Sequence, residues 1–373
     1  MSTCAVRALI MAAGTGGHIY PGLALAQALR ARGAAIEWLG TPTGMEQRLV
    51  PAAGFSLRAI DMRGVRAKGI LAWLQLPFML ARAMWQSWRI VAAVKPTVVV
   101  SMGGYVAFPA GVVAWLKRIP LVVFEPGAHA GLSNRALGLF ATRNIVGFPD
   151  TYAQVPKNPI AKRLPLPKNI QWLGTPVRDE IVELPQPATR MQGRTGALRL
   201  LVVGGSLGAQ SLNTLIVNAL ALLPKGARPM VTHQAGVNNI TQLKAEYAKA
   251  NVDADAVAFI DDMAGMYAWC DLVICRAGAI TVAELSVAGV AAILVPLPHF
   301  VAEEQEANAR FLADRNAGVL VLQPETDAAK LSKLIIDFTR SRAIDMATRA
   351  RALAKPDACA ALVEVCEELS HAR

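Results

Sequence analysis

The sequence has no uninterrupted apolar run of the roughly 18 to 20 residues that a membrane-spanning helix needs, which excludes a span across the bilayer. Its opening residues, MSTCAVRALIMAAGTGGH, lack the basic start, long apolar core and cleavage site of a signal peptide. The five cysteines form no C-x-x-C pair and fit neither a disulfide framework nor a structural zinc site. These absences predict a cytoplasmic protein in a reducing compartment.

Acidic residues are rare in the first half of the chain. Residues 1–176 hold 19 Lys or Arg against 5 Asp or Glu, whereas the remaining residues hold 19 against 22. The formal net charge of +11 therefore comes from the first half. Such an asymmetry suits a nucleic acid, an anionic membrane surface or a polyphosphate ligand. Nucleic acid is disfavoured, because this half has no known binding motif and no aromatic and basic platform.

Short β-branched runs that alternate with helical patterns predict two α/β domains with parallel sheets. A chain of 373 residues is also too long for one ordinary core. Proline-dense residues 155–187 separate two series of such runs, and we place the hinge near residues 174–178. The predicted domains are 1–174 and 175–344, with the C-terminal helix 345–373 able to pack back on the first. The predicted strands are residues 6–11, 36–39, 97–100, 121–124, 199–203, 230–233, 256–259, 272–275 and 292–295.

The two halves repeat one motif. Each opens with a strand, a glycine loop and a helix, as MAAGTGGHIYPGLALAQAL and LLVVGGSLGAQSLNTLIVNAL, and a later strand in each ends as SMGGY or CRAGA. Amides in such a turn bind anions, and ligands of doubly wound sheets lie at the carboxyl ends of the strands. We therefore predict two doubly wound parallel-sheet domains that face each other across a cleft. A dinucleotide site is disfavoured, because the first loop is not G-x-G-x-x-G and strand 36–39 ends in Gly40.

Residues 70–88, ILAWLQLPFMLARAMWQSW, are unusually apolar and rich in tryptophan. A helix that starts at Pro77 would gather Arg82, Gln86 and Arg89 into one polar strip and leave two apolar faces. One face can pack on the sheet, and the other, flanked by basic residues, is predicted to lie on an anionic bilayer. A helix buried on both sides is the alternative. The expected membrane contacts are Trp73, Phe78, Trp85 and Trp88.

Three segments carry side chains suited to chemistry, each with an ordinary alternative. His18, the only histidine in a glycine loop, can act as a base or donate to a phosphate, or it is structural. Glu284, in the predicted helix after CRAGA, can cap that helix or bind the vicinal hydroxyls of a ribose. Acid and amide side chains in residues 301–308 suit sugar hydroxyls or an ordinary first turn. These three segments contain no D-x-D motif and no cluster of His, Asp and Glu that could bind a metal. No metal or other cofactor is therefore expected.

Several sequence strings occur in a characteristic order over about residues 5–310: MAAGTGGHIYPGLALAQAL, SMGGYVAFPAGVVA, AGLSNRAL, LGTPVRDEI, VVGGSLGAQSLN, FIDDMAGMYAWCDLVICRAGAITVAEL and EQEANA. In this order they resemble the MurG family, the UDP-N-acetylglucosamine (UDP-GlcNAc) transferases of peptidoglycan synthesis, which have the GT-B fold. The resemblance implies an inverting transfer of N-acetylglucosamine to the 4-hydroxyl of the N-acetylmuramoyl-pentapeptide of lipid I, which gives lipid II. This undecaprenyl-diphosphate-linked acceptor implies a peripheral enzyme on the cytoplasmic face of the inner membrane, active in cell wall biogenesis, cell shape and cell division.

The resemblance also implies roles for individual residues. The catalytic candidates are His18, as the first choice of base, and Glu125. The residues implied to face the acceptor diphosphate are Gly14, His18, Gly103, Gly104 and Tyr105. Those implied to line the donor side are Thr15, Gly16 and Gly17, and those implied to hold the donor diphosphate are Arg178 and Ser206. The residues implied to bind the uracil are Phe259, Ile260 and Met263. Those implied to bind the phosphates or the base are Ala279, Ile280, Thr281, Val282 and Ala283. Glu284 is implied to bind the ribose hydroxyls, and Glu304 and Gln305 to bind the sugar hydroxyls of N-acetylglucosamine.

Two segments depart from the family pattern. A common run of His, Glu, Gln and Asn is replaced by FEPG at 124–127, which removes an amide expected to touch the donor. Ala302 and Glu304 stand where the family commonly has an acid and a glutamine. Two other functions therefore remain in view: an epimerase or hydrolase of UDP-GlcNAc without a lipid acceptor, and a non-catalytic nucleotide-binding scaffold at the membrane.

Overall fold

The chain folds into two compact units. The computed structural model describes residues 6–62, 70–156, 158–205, 209–298 and 302–372. The first unit, hereafter unit 1, comprises Met1–Val177 and Lys355–Arg373, and the second, unit 2, comprises Arg178–Ala354.

Unit 1 is built on a parallel sheet with seven strands in its described part. The strands are β1 (Arg7–Ala12), β2 (Ala35–Gly40), β3 (Ser56–Ala59), β4 (Val98–Gly103), β5 (Leu121–Glu125), β6 (Arg143–Val146) and β7 (Ile170–Trp172). Their order in the sheet is β3-β2-β1-β4-β5-β6-β7. The helices up to this point are α1 (Gly16–Ala31), α2 (Glu46–Ala52), α3 (Ile70–Val94), α4 (Ala107–Leu116), α5 (Leu132–Leu137) and α6 (Pro159–Arg163).

Unit 2 has a second parallel sheet, with six strands among its described residues. They are β8 (Arg199–Val203), β9 (Met230–Gln234), β10 (Asp255–Val257), β11 (Leu272–Cys275), β12 (Ala291–Leu294) and β13 (Val319–Leu320), in the order β10-β9-β8-β11-β12-β13. The helices are α7 (Asp179–Val182), α8 (Pro187–Met191), α9 (Gln210–Ala221), α10 (Ile240–Ala250), α11 (Met263–Trp269), α12 (Ala279–Ala288), α13 (Ala302–Ala313), α14 (Ala328–Ile336) and α15 (Arg340–Ala352), with 3-10 turns at Lys225–Ala227 and Gln323–Glu325. The predicted pair of doubly wound parallel sheets is confirmed.

The C-terminal residues divide between the two units. α15 belongs to unit 2, whereas the last helix, α16 (Ala358–His371), packs beside α1 in unit 1. Residues 345–354 therefore lie in unit 2, although the sequence suggested one helix over 345–373. Pro356 explains the break, because proline disfavours helical backbone at the residue before it. Within unit 1, Thr97 Oγ1 donates to Ser370 Oγ at 3.1 Å and ties α16 to the start of β4.

Two helices begin earlier than the sequence indicated. α1 begins at Gly16 rather than near Pro21, and α3 begins at Ile70 rather than at Pro77. Proline fits a first turn because it has no N–H to donate. Pro21 is nevertheless tolerated inside α1, where its neighbours Ile19 and Leu23 are buried and compensate for the missing hydrogen bond.

Four strands escaped prediction, namely β3, β6, β7 and β13. They are short, and β3 and β7 expose most of their residues, so no apolar run marks them. β10 is also shorter than the predicted strand 256–259, and Phe259 lies beyond its end. Among the described residues, no helix is long and apolar enough to cross a membrane.

Candidate active site

In unit 1 a glycine turn joins the central strand to a helix. β1 ends at Ala12, and α1 begins at Gly16 with Thr15 as its N-cap residue, whose side chain makes no capping hydrogen bond. Gly16, Gly17 and His18 thus form the first turn of α1 itself. The first N–H groups of a helix lack partners within it, and together with the helix dipole they favour an anion.

A second glycine turn lies against the first, because β4 neighbours β1 in the sheet. Gly103 and Gly104 have φ angles of +106° and +89°, which only glycine adopts without strain. A Cβ atom on Gly104 would lie 2.6 Å from the carbonyl oxygen of Ala13, and one on Gly103 would lie 2.6 Å from His18 Nδ1. The structure therefore brings together the predicted acceptor-side residues His18, Gly103 and Gly104.

His18 is held in one neutral form. Its Nδ1 lies 2.9 Å from the carbonyl oxygen of Met102, and because a carbonyl oxygen only accepts, Nδ1 carries the proton and donates it. Burial lowers the pKa of His18 below its usual 6.5, and the hydrogen bond to Met102 opposes this effect only in part. The ring is therefore neutral at pH 7, and Nε2 keeps a lone pair that can accept a proton.

Glu125, the second catalytic candidate, ends β5 and is buried. Its carboxylate accepts hydrogen bonds from the amides of Gly127 at 3.2 Å and Gly131 at 3.1 Å, and from Asn134 Nδ2 at 3.1 Å. Both carboxylate oxygens are therefore engaged by the loop after β5 and by α5. This geometry suits a group that positions the loop after β5, and it favours His18 as the base.

Sequence reasoning missed Glu46, the first residue of α2. Glu46 is fully buried, and its carboxylate accepts from the Thr41 amide at 2.9 Å, the Thr41 hydroxyl at 2.6 Å and the Gly14 amide at 3.4 Å. The Gly14 N–H therefore donates within the protein, and Glu46 fixes the glycine turn. The Tyr105 ring borders the same turn, 3.9 Å from the position that a Cβ on Gly14 would take. The available sequence signal was the rarity of acids in residues 1–176.

In unit 2 the loop after β11 leads into a helix N-terminus. Gly278 is the N-cap residue of α12 and, having no side chain, makes no capping hydrogen bond. Residues 279–281 and Ala283 are partly exposed, whereas the side chain of Val282 is buried in the core. The amides of the first turn of α12 thus provide a site suited to phosphate. Ser206, predicted to hold the donor diphosphate, lies outside the described residues.

Glu284 follows on α12, and both of its carboxylate oxygens are engaged. Oε1 accepts from Arg178 Nη2 at 3.2 Å, and Oε2 accepts from the Tyr267 hydroxyl at 3.1 Å. Burial raises the pKa of Glu284, and the charge of Arg178 and the hydrogen bonds from both partners oppose the rise. The structure thus pairs two predicted donor residues, Arg178 and Glu284. Tyr267 was missed because a tyrosine in an apolar segment gives no sequence signal of its hydrogen-bond partner.

α13 carries the residues predicted to bind the sugar. Gln305 Oε1 accepts from the Leu297 amide at 3.0 Å, and Asn308 Nδ2 donates to the carbonyl oxygen of Ala277 at 3.1 Å. These bonds tie α13 to the loops that follow β11 and β12, while the Glu304 side chain is exposed. Within the described ranges, no group of three or more His, Cys, Asp or Glu side chains is placed to hold a metal ion.

The residues predicted to bind uracil lie together between β10 and the first turn of α11. Phe259 is about half exposed, and Ile260 and Met263 are partly exposed. Asp262 caps α11 by accepting a hydrogen bond from the Gly265 amide at 2.7 Å, which fixes the start of the helix. Exposed aromatic and apolar side chains at a fixed turn suit a flat base.

Unit 1 also carries an exposed aromatic surface. The exposed fractions are 81% for Phe78, 59% for Trp85 and 45% for Trp88, all on α3. Trp73 belongs to the same helix, and its side chain lies outside the described residues.

The exposed surface extends beyond the residues predicted from the sequence. Trp115, at the end of α4, packs its ring 4.9 Å from that of Phe140, measured between centroids, and both side chains are exposed. Lys117, the C-cap residue of α4, has its Nζ 3.8 Å from the centroid of the Trp88 ring, so the end of α4 that carries Trp115 lies against α3. We call these side chains the aromatic patch: Phe78, Trp85, Trp88, Trp115 and Phe140.

Two parallel-sheet units, each with amide-lined turns at the carboxyl edge of its sheet, are the architecture of glycosyltransferases with the GT-B fold. Residues 8–146 match the model of the glycosyltransferase family 28 N-terminal domain, and residues 199–362 match that of the family 28 C-terminal domain. Fold and site therefore define the class of the protein as a nucleotide-sugar-dependent hexosyltransferase.

Individual relatives narrow the class further. The UDP-N-acetylglucosamine--N-acetylmuramyl-(pentapeptide) pyrophosphoryl-undecaprenol N-acetylglucosamine transferase of Bordetella parapertussis is 51% identical over 360 residues, which cover 96% of this chain and 97% of that one. The enzyme of the same name from Dechloromonas aromatica is 49% identical over 362 residues, 97% of this chain and 98% of that one. The crystal structure of MurG from Acinetobacter baumannii matches with a TM-score of 0.83 and 35% identity, covering 97% of this chain and 99% of that chain. The chain belongs to the MurG family.

Proposed function

We propose that the chain transfers N-acetylglucosamine from UDP-GlcNAc to the 4-hydroxyl of the N-acetylmuramoyl-pentapeptide of lipid I, forming lipid II for the bacterial cell wall. The observation that carries the proposal is the 51% identity, over 360 residues, to a relative named for this transfer. Following the resemblance, the UDP moiety is assigned to unit 2 and the acceptor diphosphate to unit 1. The helix N-termini of α12 and α1 support this assignment, because each is suited to phosphate groups.

The leaving UDP is stabilised by groups of unit 2. As the bond to the sugar breaks, negative charge develops on the donor diphosphate. In this proposal the first-turn amides of α12 and the guanidinium of Arg178 stabilise this charge. Arg178 is about half exposed, so its guanidinium is accessible to a bound nucleotide.

His18 is the general base in this proposal. In the inverting displacement, the acceptor hydroxyl attacks C1 of the donor sugar as the bond from C1 to UDP breaks. The hydroxyl must lose its proton in this step. A neutral imidazole with a free lone pair on Nε2 can take that proton near neutral pH. Glu125 keeps the loop after β5 in place through the hydrogen bonds to its carboxylate.

The aromatic patch is assigned to the membrane that holds the lipid-linked acceptor. Aromatic side chains insert at the interface between headgroups and acyl chains. Lys117, stacked on Trp88, and Arg89, whose guanidinium lies 4.9 Å from the Trp85 ring centroid, provide positive charge beside the patch for anionic headgroups. These features support a peripheral enzyme on the cytoplasmic face of the inner membrane.

Serine substitutions in the aromatic patch should weaken membrane binding. Phe78→Ser and Trp85→Ser should each lower the partition of the protein onto anionic phospholipid vesicles by about ten- to a hundredfold, because burying such a side chain contributes roughly 1.5 to 3 kcal/mol. Vesicle sedimentation measures the partition coefficient. Leu222→Ser, which changes a side chain of unit 2 that is 58% exposed, is the matched control and should bind as the wild type does. Unchanged binding of the Phe78, Trp85 double variant would contradict the assignment.

A donor-competition assay tests the proposed function. With a synthetic lipid-linked acceptor, UDP-GalNAc should be used with at least about tenfold lower kcat/KM than UDP-GlcNAc, because its inverted 4-hydroxyl loses a hydrogen bond at α13. Equal use of the two donors would contradict the assigned donor.

A further inference from the structure

We propose that Tyr267 is a positioning residue for nucleotide recognition: its hydroxyl orients the Glu284 carboxylate, and this orientation lets the enzyme distinguish a ribonucleotide from a deoxyribonucleotide. The inference rests on the proposed function, in which Glu284 binds the ribose of the donor. Tyr267 contacts the nucleotide only through Glu284, so it is not itself a catalytic residue.

The division of the Glu284 oxygens supports this role. A carboxylate offers about four lone-pair positions for hydrogen bonds. Tyr267 takes one on Oε2 at 3.1 Å, and Arg178 takes one on Oε1 at 3.2 Å. The remaining positions suffice for the two vicinal hydroxyls of a ribose. Because Tyr267 and Glu284 are both buried, the carboxylate is fixed before the ligand arrives, which lowers the entropy cost of binding.

α11 connects Tyr267 to the segment assigned to uracil. Met263, the first residue of α11, and Tyr267 are four residues apart and therefore lie on one face of the helix. The side chain of Met263 is partly exposed, whereas that of Tyr267 is buried against α12. One short helix thus carries a residue assigned to the base and a residue that orients the ribose carboxylate.

The protonation states fit this arrangement. Burial raises the pKa of Tyr267 well above its usual value, so the phenol keeps its proton and donates at every physiological pH. The hydrogen bond from Tyr267 helps to keep Glu284 ionised against the effect of burial. Removal of the hydroxyl should therefore raise the pKa of Glu284 further. When the pH is lowered, the loss of UDP binding should then begin at a higher pH in Tyr267→Phe than in the wild type.

The substitution Tyr267→Phe tests the inference, because phenylalanine fills the same space without the hydroxyl. Calorimetric titration of the full chain with UDP and with 2′-deoxy-UDP gives two dissociation constants for each variant. We expect the wild type to prefer UDP. Tyr267→Phe should lose about tenfold in UDP affinity, the effect of a hydrogen bond to a charged group, and a smaller factor for 2′-deoxy-UDP, which keeps only the 3′-hydroxyl for Glu284. The KM for UDP-GlcNAc should rise, and kcat should change by less than about twofold.

Tyr247→Phe is the matched control. Tyr247 is also buried in unit 2, but its hydroxyl pairs with His233 Nδ1 at 2.8 Å rather than with Glu284. This variant should keep the wild-type ratio of the two dissociation constants. A Tyr267→Phe protein that also kept that ratio would overturn the inference and leave the proposed function intact. A wild type without any preference for UDP would overturn the ribose assignment of Glu284, and the inference with it.

Discussion

His18→Ala should lower kcat by about 10²- to 10⁴-fold, the usual contribution of a general base. The KM for UDP-GlcNAc should change little, because the donor is assigned to unit 2. The expected loss follows from the neutral imidazole, whose Nδ1 is held by Met102 and whose Nε2 is left as a base. Steady-state assays with a lipid-linked acceptor measure both constants.

The pH profile distinguishes a base from a merely structural histidine. His18 has a pKa below 6.5 and is competent when neutral, so wild-type kcat should be level through neutral pH and fall only below pH 6.5. His18→Ala should lose this acidic limb. His129, whose pKa burial also lowers, is the matched control, and His129→Ala should keep the limb. A His18→Ala enzyme with near-normal kcat and an unchanged profile would exclude His18 as the base.

Gly104→Ala should reduce kcat/KM by at least about 10²-fold, because a displacement of about 1 Å at a reacting site costs that much. The new Cβ atom would lie 2.6 Å from the carbonyl oxygen of Ala13, a backbone atom that cannot rotate away. The turns after β1 and β4 must then separate, and the first turn of α1 moves with them. Assays at several acceptor concentrations measure the loss.

Gly33→Ala is the control that distinguishes the effect of this steric contact from the effect of backbone strain. Gly33 has a φ angle of +85°, close to that of Gly104, but a Cβ there meets no atom within 4 Å. Both variants should lose roughly 1 to 2 kcal/mol of stability from the left-handed backbone, while Gly33→Ala keeps near-normal kcat/KM. Equal activity of the two variants would show that the contact between the turns is not needed.

In unit 1, the sequence predicted the central buried strands and missed both exposed edge strands. β1, β4 and β5 lie at the centre of their sheet and read as continuous apolar runs. β3 and β7 are the two edge strands in the described part of this sheet. Most of their residues are exposed, so they carry no such run. The sequence analysis placed the starts of α1 and α3 at prolines that lie inside these helices. The preference of proline for the first turn of a helix does not account for the packing that allows Pro21 within α1.

Candidate site residues were easier to name than their partners. Glycine turns and lone polar residues stand out in a linear sequence, and His18 and Glu284 were chosen as candidates in this way. The bond between Gly14 and Glu46 joins residues 32 positions apart, and only the pairing of β1 with β2 brings them together. The hydrogen bond from the Tyr267 hydroxyl to Glu284 likewise forms only because α11 packs on α12, which the linear sequence does not show.

Dependence of UDP release on the acceptor tests the central claim most directly. The protein is incubated with UDP-GlcNAc in the presence and absence of an undecaprenyl-diphosphate-linked N-acetylmuramoyl-pentapeptide, and the released UDP is measured. A glycosyltransferase that uses a lipid-linked acceptor should release UDP only when that acceptor is present, in a one-to-one ratio with the disaccharide product. UDP release or sugar epimerisation without the acceptor, or no turnover with it, would contradict the claim.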